Sequence, residues 1–305
     1  MKTAAAVWIF GLLTLDALHA ANAPKKEALP APDVRDARYG PHERHTVDLW
    51  ITKASKPAPL VVFIHGGGWN GGDKSGVPAE LLALLRSREF SVASINYRYT
   101  SIAKAPGPLH DAARAVQFLR SQAHAWKLDA ARIGAYGVSA GGCSALWLAY
   151  HDDLADPSSS DPVMRKSSRV QVAVGISAQV SLEPDVVVAW VGQEVMNHLM
   201  IRRAVGARTL AEVPVRDAEL GGVLRESSPI RHVSKGDAPV LLVFPTMAAL
   251  PATSPGSAIH HALFGVKLQA AARAAGLVCE LRIEDASPPD APTVESFFSE
   301  HLTSR

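Results

Sequence analysis

The sequence predicts an α/β domain: a mostly parallel sheet with helices on both faces and an inserted cap segment. Three observations predict it. Short apolar runs alternate with longer helical patterns, as successive strand–helix units require. Several runs, among them Leu60–His65 and Pro239–Phe244, are almost continuously apolar, as strands covered on both faces must be. A chain of 305 residues, 48% apolar and 20% charged, suits one large domain better than two small ones.

In chain order, strands are expected at Thr46–Ile51, Leu60–His65, Ser91–Asn96, Arg132–Val138, Val170–Ile176, Pro239–Phe244 and Val278–Ile283. Helical patterns fall at Pro78–Arg88, Leu109–Trp126, Ala140–Tyr150, Ser257–Ala275 and Thr293–Leu302. The stretch 181–236 fits no strand and separates two core strands. An insertion near the carboxyl ends of strands usually covers a site, so this stretch is read as the cap.

The N-terminus differs from the rest. Lys2, the apolar run Ala4–Leu13 and small residues up to Ala23 have the pattern of a secretory signal peptide over 1–23. Asp16 and His19 cut that run too short to span a bilayer, and no later segment qualifies, so no stable membrane span is expected. Residues 24–41, with Pro24, Pro30, Pro32 and Pro41, read as a linker, leaving 42–305 as the folded domain. The protein is therefore expected to be exported, to the periplasm or the medium. A formal charge of +2 gives no attraction to nucleic acid, which is excluded as a partner. Two cysteines, Cys143 and Cys279, rule out a disulfide framework and permit one bridge. Cys143 is read as a small apolar core residue.

Two motifs carry chemistry. Gly137-Val138-Ser139-Ala140-Gly141 follows an expected strand and opens an expected helix. A sharp strand-to-helix turn lifts the Ser139 hydroxyl out of the sheet, and the flanking glycines leave room for backbones that would otherwise collide. His65-Gly66-Gly67-Gly68-Trp69 follows the run Leu60–Ile64. Consecutive glycines can turn amides toward a carbonyl oxygen that becomes an oxyanion, with Gly67, Gly68, Ala140 and also Gly66 as candidate donors, each worth about 2.7–4 kcal/mol. A phosphate cradle would need Lys-Ser/Thr at a helix start, and Asp73-Lys74-Ser75 lies too far from the glycines.

With these motifs, Asn96-Tyr97-Arg98-Tyr99, Pro108 with Asp111, and Arg132–Gly142, the chain resembles the α/β-hydrolases of the hormone-sensitive-lipase and feruloyl-esterase type. The resemblance implies an α/β-hydrolase fold and a carboxylesterase that forms an acyl-enzyme on Ser139. Short acyl or acetyl esters, of small molecules or carbohydrate, would be its substrates, with no cofactor and no metal. In that family an acid follows the penultimate strand and a histidine the last. Here Pro245-Thr246-Met247-Ala248-Ala249-Leu250 offers no carboxylate, and 284–290 offers no histidine.

Elimination by position leaves His260 and His261, in the loop where the acid belongs. The expectation is an exchange: His260 or His261 as the base, oriented by Asp285 or Asp290. Alternatively the pair merely starts a surface helix, and the protein is a pseudo-hydrolase that binds a ligand or partner. An exported peptidase is a minor third reading. His151-Asp152-Asp153 reads as a solvated helix end rather than a metal cluster. Asp73-Lys74 reads as a surface ion pair steadying the glycine loop, Asp111 as a fixing point for the loop before its helix, and Trp69 as pocket wall or core.

Overall fold

Seven apolar runs become seven strands of one sheet: β2 Thr46–Trp50, β3 Ala58–Ile64, β4 Ser91–Ile95, β5 Leu128–Val138, β6 Val172–Ile176, β7 Val240–Phe244 and β8 Cys279–Ile283. The computed structural model describes residues 29–303 apart from 208, 210, 211 and 216. The signal peptide read over 1–23 lies outside the described residues, and the account below is of the unit Ala31–Arg305. With an edge strand β1 at Val34–Arg38, the spatial order is β1-β2-β4-β3-β5-β6-β7-β8. From β4 through β8 every neighbouring pair is parallel, while β1 and β2 join antiparallel. β3, β4 and β7 are buried along their whole lengths, which is why their sequences do not alternate.

The linker reading needs correction. Val34–Arg38 forms an eighth strand, β1, paired with β2 across a register shift between Val34 and Ala37. Its charges suggested a linker, but an edge strand carries outward charge readily: Arg35, Asp36 and Arg38 are exposed while Val34 and Ala37 are half-buried.

The helices are α1 Ala79–Ser87, α2 Gly107–Ser121, α3 Ala140–Tyr150, α4 Pro184–Val191, α5 Leu199–Ala204, α6 Glu212–Val215, α7 Asp217–Glu226, α8 Pro255–Ile259, α9 Leu263–Ala274 and α10 Val294–Thr303. All eleven residues of α3 are buried, so it packs on every side and fixes the Ser139 turn from behind. The single helix expected over Ser257–Ala275 is two, α8 and α9, broken at His260-His261. The cap region is helical, carrying α4 to α7 and the 3-10 turns Gln193–Asn197 and Pro229–Arg231. Among the described residues no helix is long and apolar enough to cross a membrane.

Buried polar groups tie the first strands to the glycine loop. Lys74 does not pair with Asp73 at the surface as expected. Its ammonium is buried and reaches Asp48 at 2.6 Å and the more exposed Asp36 at 2.9 Å. Asp73 instead caps the 3-10 turn Lys74–Gly76, accepting the Ser75 amide, and takes a hydrogen bond from Asn96 Nδ2. Asp111 accepts from the Arg98 amide and guanidinium and lies 3.1 Å from His45 Nε2. Burial alone would raise its carboxyl; the hydrogen bonds from His45 and Arg98 outweigh that and hold it below the ordinary range. Cys143 and Cys279 are both free and buried, and burial pushes the Cys279 thiol up to about 12.

Candidate active site

Ser139 stands where β5 turns into α3, with φ 54° and ψ −121°. Such a backbone is strained for a residue with a side chain and persists only where its surroundings enforce it. They do so through close approach: a Cβ on Gly137 would lie 2.0 Å from Gly141 O, and one on Gly141 would lie 2.0 Å from Ile64 O. The Ser139 amide donates to Ile176 O at 2.8 Å, anchoring the turn to β6.

The glycine loop sits beside it. Gly67 has φ +98°, and a Cβ there would meet Gly71 O at 2.4 Å, so only glycine fits. The amides of Gly67 and Gly68 donate to no described residue. Ala140, first residue of α3, has by position no intrahelical acceptor for its own amide.

Residues after β4 hold the loop in place. Tyr97 Oη donates to His65 O at 2.8 Å, Asn96 Oδ1 accepts the Lys74 amide at 2.7 Å, and Tyr99 Oη donates to Gly72 O. His65 is buried and stacked on Tyr97; burial lowers its pKa to about 4, so it stays neutral. Trp69 is core rather than pocket wall: it is fully buried and its Nε1 donates to Ser144 Oγ.

Of the two candidate bases the structure brings one to Ser139. His260 Nε2 lies 2.9 Å from Ser139 Oγ. His260 terminates α8, a short helix started by a Ser254–Ser257 capping box with Pro255 in its first turn. The other ring nitrogen, Nδ1, lies 3.0 Å from Gly256 O, the carbonyl four residues back on the same helix. Burial lowers the His260 pKa below 6.5, against a smaller raising effect of that carbonyl. His261 is elsewhere: it is buried, its Nε2 donates to Ala248 O, and its Nδ1 accepts the Leu263 amide at the head of α9.

The carboxylate half of the expected exchange is not found. Asp285 and Asp290 are exposed in the segment after β8. That segment folds onto itself, with Ser287 bonded back to Ile283, and the His260 Nδ1 contact is taken by Gly256 O instead of either acid. Sequence reasoning missed this because a backbone carbonyl has no residue signature.

A cleft of about 530 Å³ opens over Ser139 and His260. The glycine loop and Asn70 form one wall, and the cap residues Asn197, His198, Leu199, Met200 and Arg203 form the other. The residues of this second wall fall within the stretch 181–236. His198, within the same stretch, has its ring centroid 6.0 Å from that of His260. Burial and the neighbouring His260 lower its pKa. Its position depends on how α5 packs, which no local pattern encodes.

Comparisons with known proteins agree with this picture. Over 221 residues the chain is 24% identical to Esterase LipC of Mycobacterium tuberculosis, covering 68% of this chain and 49% of that protein. It is 36% identical over 109 residues to the probable isoprenylcysteine alpha-carbonyl methylesterase ICMEL2 of Arabidopsis thaliana, covering 35% of this chain and 25% of that one. The chain therefore spans half or less of the length of these curated relatives. A solved structure described as a truncated carbohydrate esterase from gut microbiota superposes with TM-score 0.72 at 20% identity, covering 91% and 99% of the two chains. The family model BD-FAE matches residues 47–250. With its strand order, its serine turn and that match across two thirds of its length, the chain belongs to the BD-FAE family and has an α/β-hydrolase fold.

Proposed function

We propose that the protein is an exported serine hydrolase of carboxylic esters, with short acyl or acetyl groups on small-molecule or carbohydrate alcohols as its substrates. The 2.9 Å contact between Ser139 Oγ and His260 Nε2 carries the reading. In the proposed cycle His260 Nε2 takes the hydroxyl proton as Oγ attacks the ester carbonyl. The amides of Gly67, Gly68 and Ala140 receive the developing oxyanion, aided by the N-terminus of α3. Gly66 serves the loop differently, since its carbonyl accepts from Tyr97 Oη at 3.1 Å. The tetrahedral intermediate collapses, the alcohol leaves with the proton from His260, and water then attacks the acyl-Ser139 ester by the reverse proton path.

Gly256 O fixes which nitrogen carries the proton, the tautomer task an acid usually performs. It supplies a dipole rather than a full charge, so the imidazolium formed in the transition state is less stabilised. That deficit is the one observation favouring a ligand-binding pseudo-hydrolase. The polar groups Asn70, Asn197, His198 and Arg203 around the cleft favour a hydroxyl-rich alcohol, and a carbohydrate ester suits them.

The testing experiment is labelling of the purified chain with a fluorophosphonate probe. Stoichiometric labelling of wild type, absent from Ser139→Ala, is expected. An unlabelled wild type would establish the pseudo-hydrolase instead.

The pH profile gives a second expectation. Only neutral His260 can accept the serine proton, so kcat/KM rises with pH through the His260 pKa. Because burial lowers that pKa, half-maximal kcat/KM is expected on the acid side of 6.5. A midpoint above 7 would show that a negative group faces the imidazole after all.

A further inference from the structure

His151-Asp152-Asp153 acquires partners in the fold that its sequence neighbours do not supply. His151 caps the C-terminus of α3, Glu226 is the last residue of α7, and His232 follows the 3-10 turn Pro229–Arg231. One ligand atom from each of the three lies within 4.8 Å of the others. His151 Nε2 is 2.9 Å from Glu226 Oε1, and His232 Nε2 is 3.9 Å from Glu226 Oε2. The two imidazoles are mostly covered, and both pack against Trp147, His151 stacked at 4.0 Å and His232 edge-on at 6.1 Å.

Hydrogen bonds orient the imidazoles of this cluster. His151 Nδ1 lies 2.8 Å from Asp152 O, a carbonyl that can only accept, so Nδ1 carries the proton. Its Nε2 is thereby turned to Glu226 Oε1 at 2.9 Å. A carbonyl holding the far nitrogen is also the arrangement that orients metal-bound histidines. His232 Nε2 lies 2.6 Å from Glu226 O, and that carbonyl also accepts Trp147 Nε1 at 2.8 Å. To ligate a metal, His232 Nε2 gives up its proton and its bond to Glu226 O, and that carbonyl keeps the Trp147 donor.

We propose that His151, Glu226 and His232 form a binding site for a divalent transition metal of the zinc class. Two imidazole nitrogens and one carboxylate are a ligand set for Zn²⁺ and not for Mg²⁺ or Ca²⁺, which take oxygen donors. The site lies at the far end of the nucleophile helix from Ser139. It fastens the chain leaving the cap, residues 226–232, to the end of α3, and so anchors the cap from a place remote from the chemistry.

The experiment is Zn²⁺ titration of the metal-stripped full chain by calorimetry and thermal melting. Wild type is expected to bind one equivalent and to gain about 5–10 °C in Tm at a hundredfold excess over Kd. Glu226→Gln and His151→Ala are each expected to weaken binding at least ~100-fold, since even outer partners of a metal ligand contribute 10–100-fold. His260→Ala is expected to retain the full equivalent. Circular dichroism checks that the variants fold. The proposal is overturned if wild type shows no one-equivalent binding, or if Glu226→Gln and His151→Ala both fold and bind as wild type does. Loss of the equivalent in His260→Ala would likewise overturn it by moving the metal to the His198–His260 pair.

Discussion

Replacing His260 by alanine is expected to lower kcat on a simple aryl acetate by about 10⁵–10⁶-fold, nearly as much as replacing Ser139, because a nucleophile and its base act as one unit. Removal of both should cost little more than removal of either. The geometry behind this is a 2.9 Å contact to Ser139 Oγ from a histidine already held in the correct tautomer by Gly256 O. Asp285→Ala and Asp290→Ala are expected to retain activity within a factor of about three, since exposed substitutions away from a site rarely matter. His261→Ala should differ from His260→Ala in kind. It removes the tie between Ala248 O and the start of α9, and so lowers stability before it touches chemistry. Steady-state kinetics on the five single variants, with KM and kcat resolved, tests the set. A large kcat loss in Asp285→Ala, with His260→Ala near wild type, would reverse the assignment.

Lys74→Met is expected to destabilise the fold by about 3–5 kcal/mol, the cost of removing one partner from a buried ion pair. The Lys74 and Asp48 side chains are 10% and 8% exposed, and their charged atoms lie 2.6 Å apart. Methionine keeps much of the stem volume but leaves the Asp48 carboxylate with the Asp36 amide as its remaining short contact. Asp36 itself is largely exposed, so its own loss of Lys74 should matter much less. Denaturant melts of Lys74→Met and of Asp36→Ala check this ordering. Activity of Lys74→Met should fall as well, because losing the Asp48 ion pair releases the 3-10 turn whose residue-74 amide donates to Asn96 Oδ1 beside the glycine loop.

The fold was legible because its strands announce themselves: six of the eight lie inside the sheet and read as apolar runs. β1 escaped notice because an edge strand with Arg35, Asp36 and Arg38 looks like a polar linker. The Ser139 turn and the glycine loop were legible for a related reason, since close backbone contacts at Gly137, Gly141 and Gly67 allow no other residue. His260 emerged only by elimination, in company with His261, and distinguishing the two took the break between α8 and α9. What orients His260 was beyond sequence reasoning altogether. Partners drawn from the backbone, like the meeting of His151, Glu226 and His232, arise from packing and leave no spacing to read.

The base and the carbonyl that orients it both belong to α8, a five-residue helix and its cap. In a triad whose acid comes from another loop, displacing either loop breaks the orienting contact. Here that contact is internal to one rigid piece. A displacement of α8 separates the imidazole from the serine yet leaves its proton on the right nitrogen, so the histidine returns ready to act without any reset. Misalignment at the proposed site is thus a matter of distance alone, and insertions in the turn after β8 should leave the chemistry indifferent.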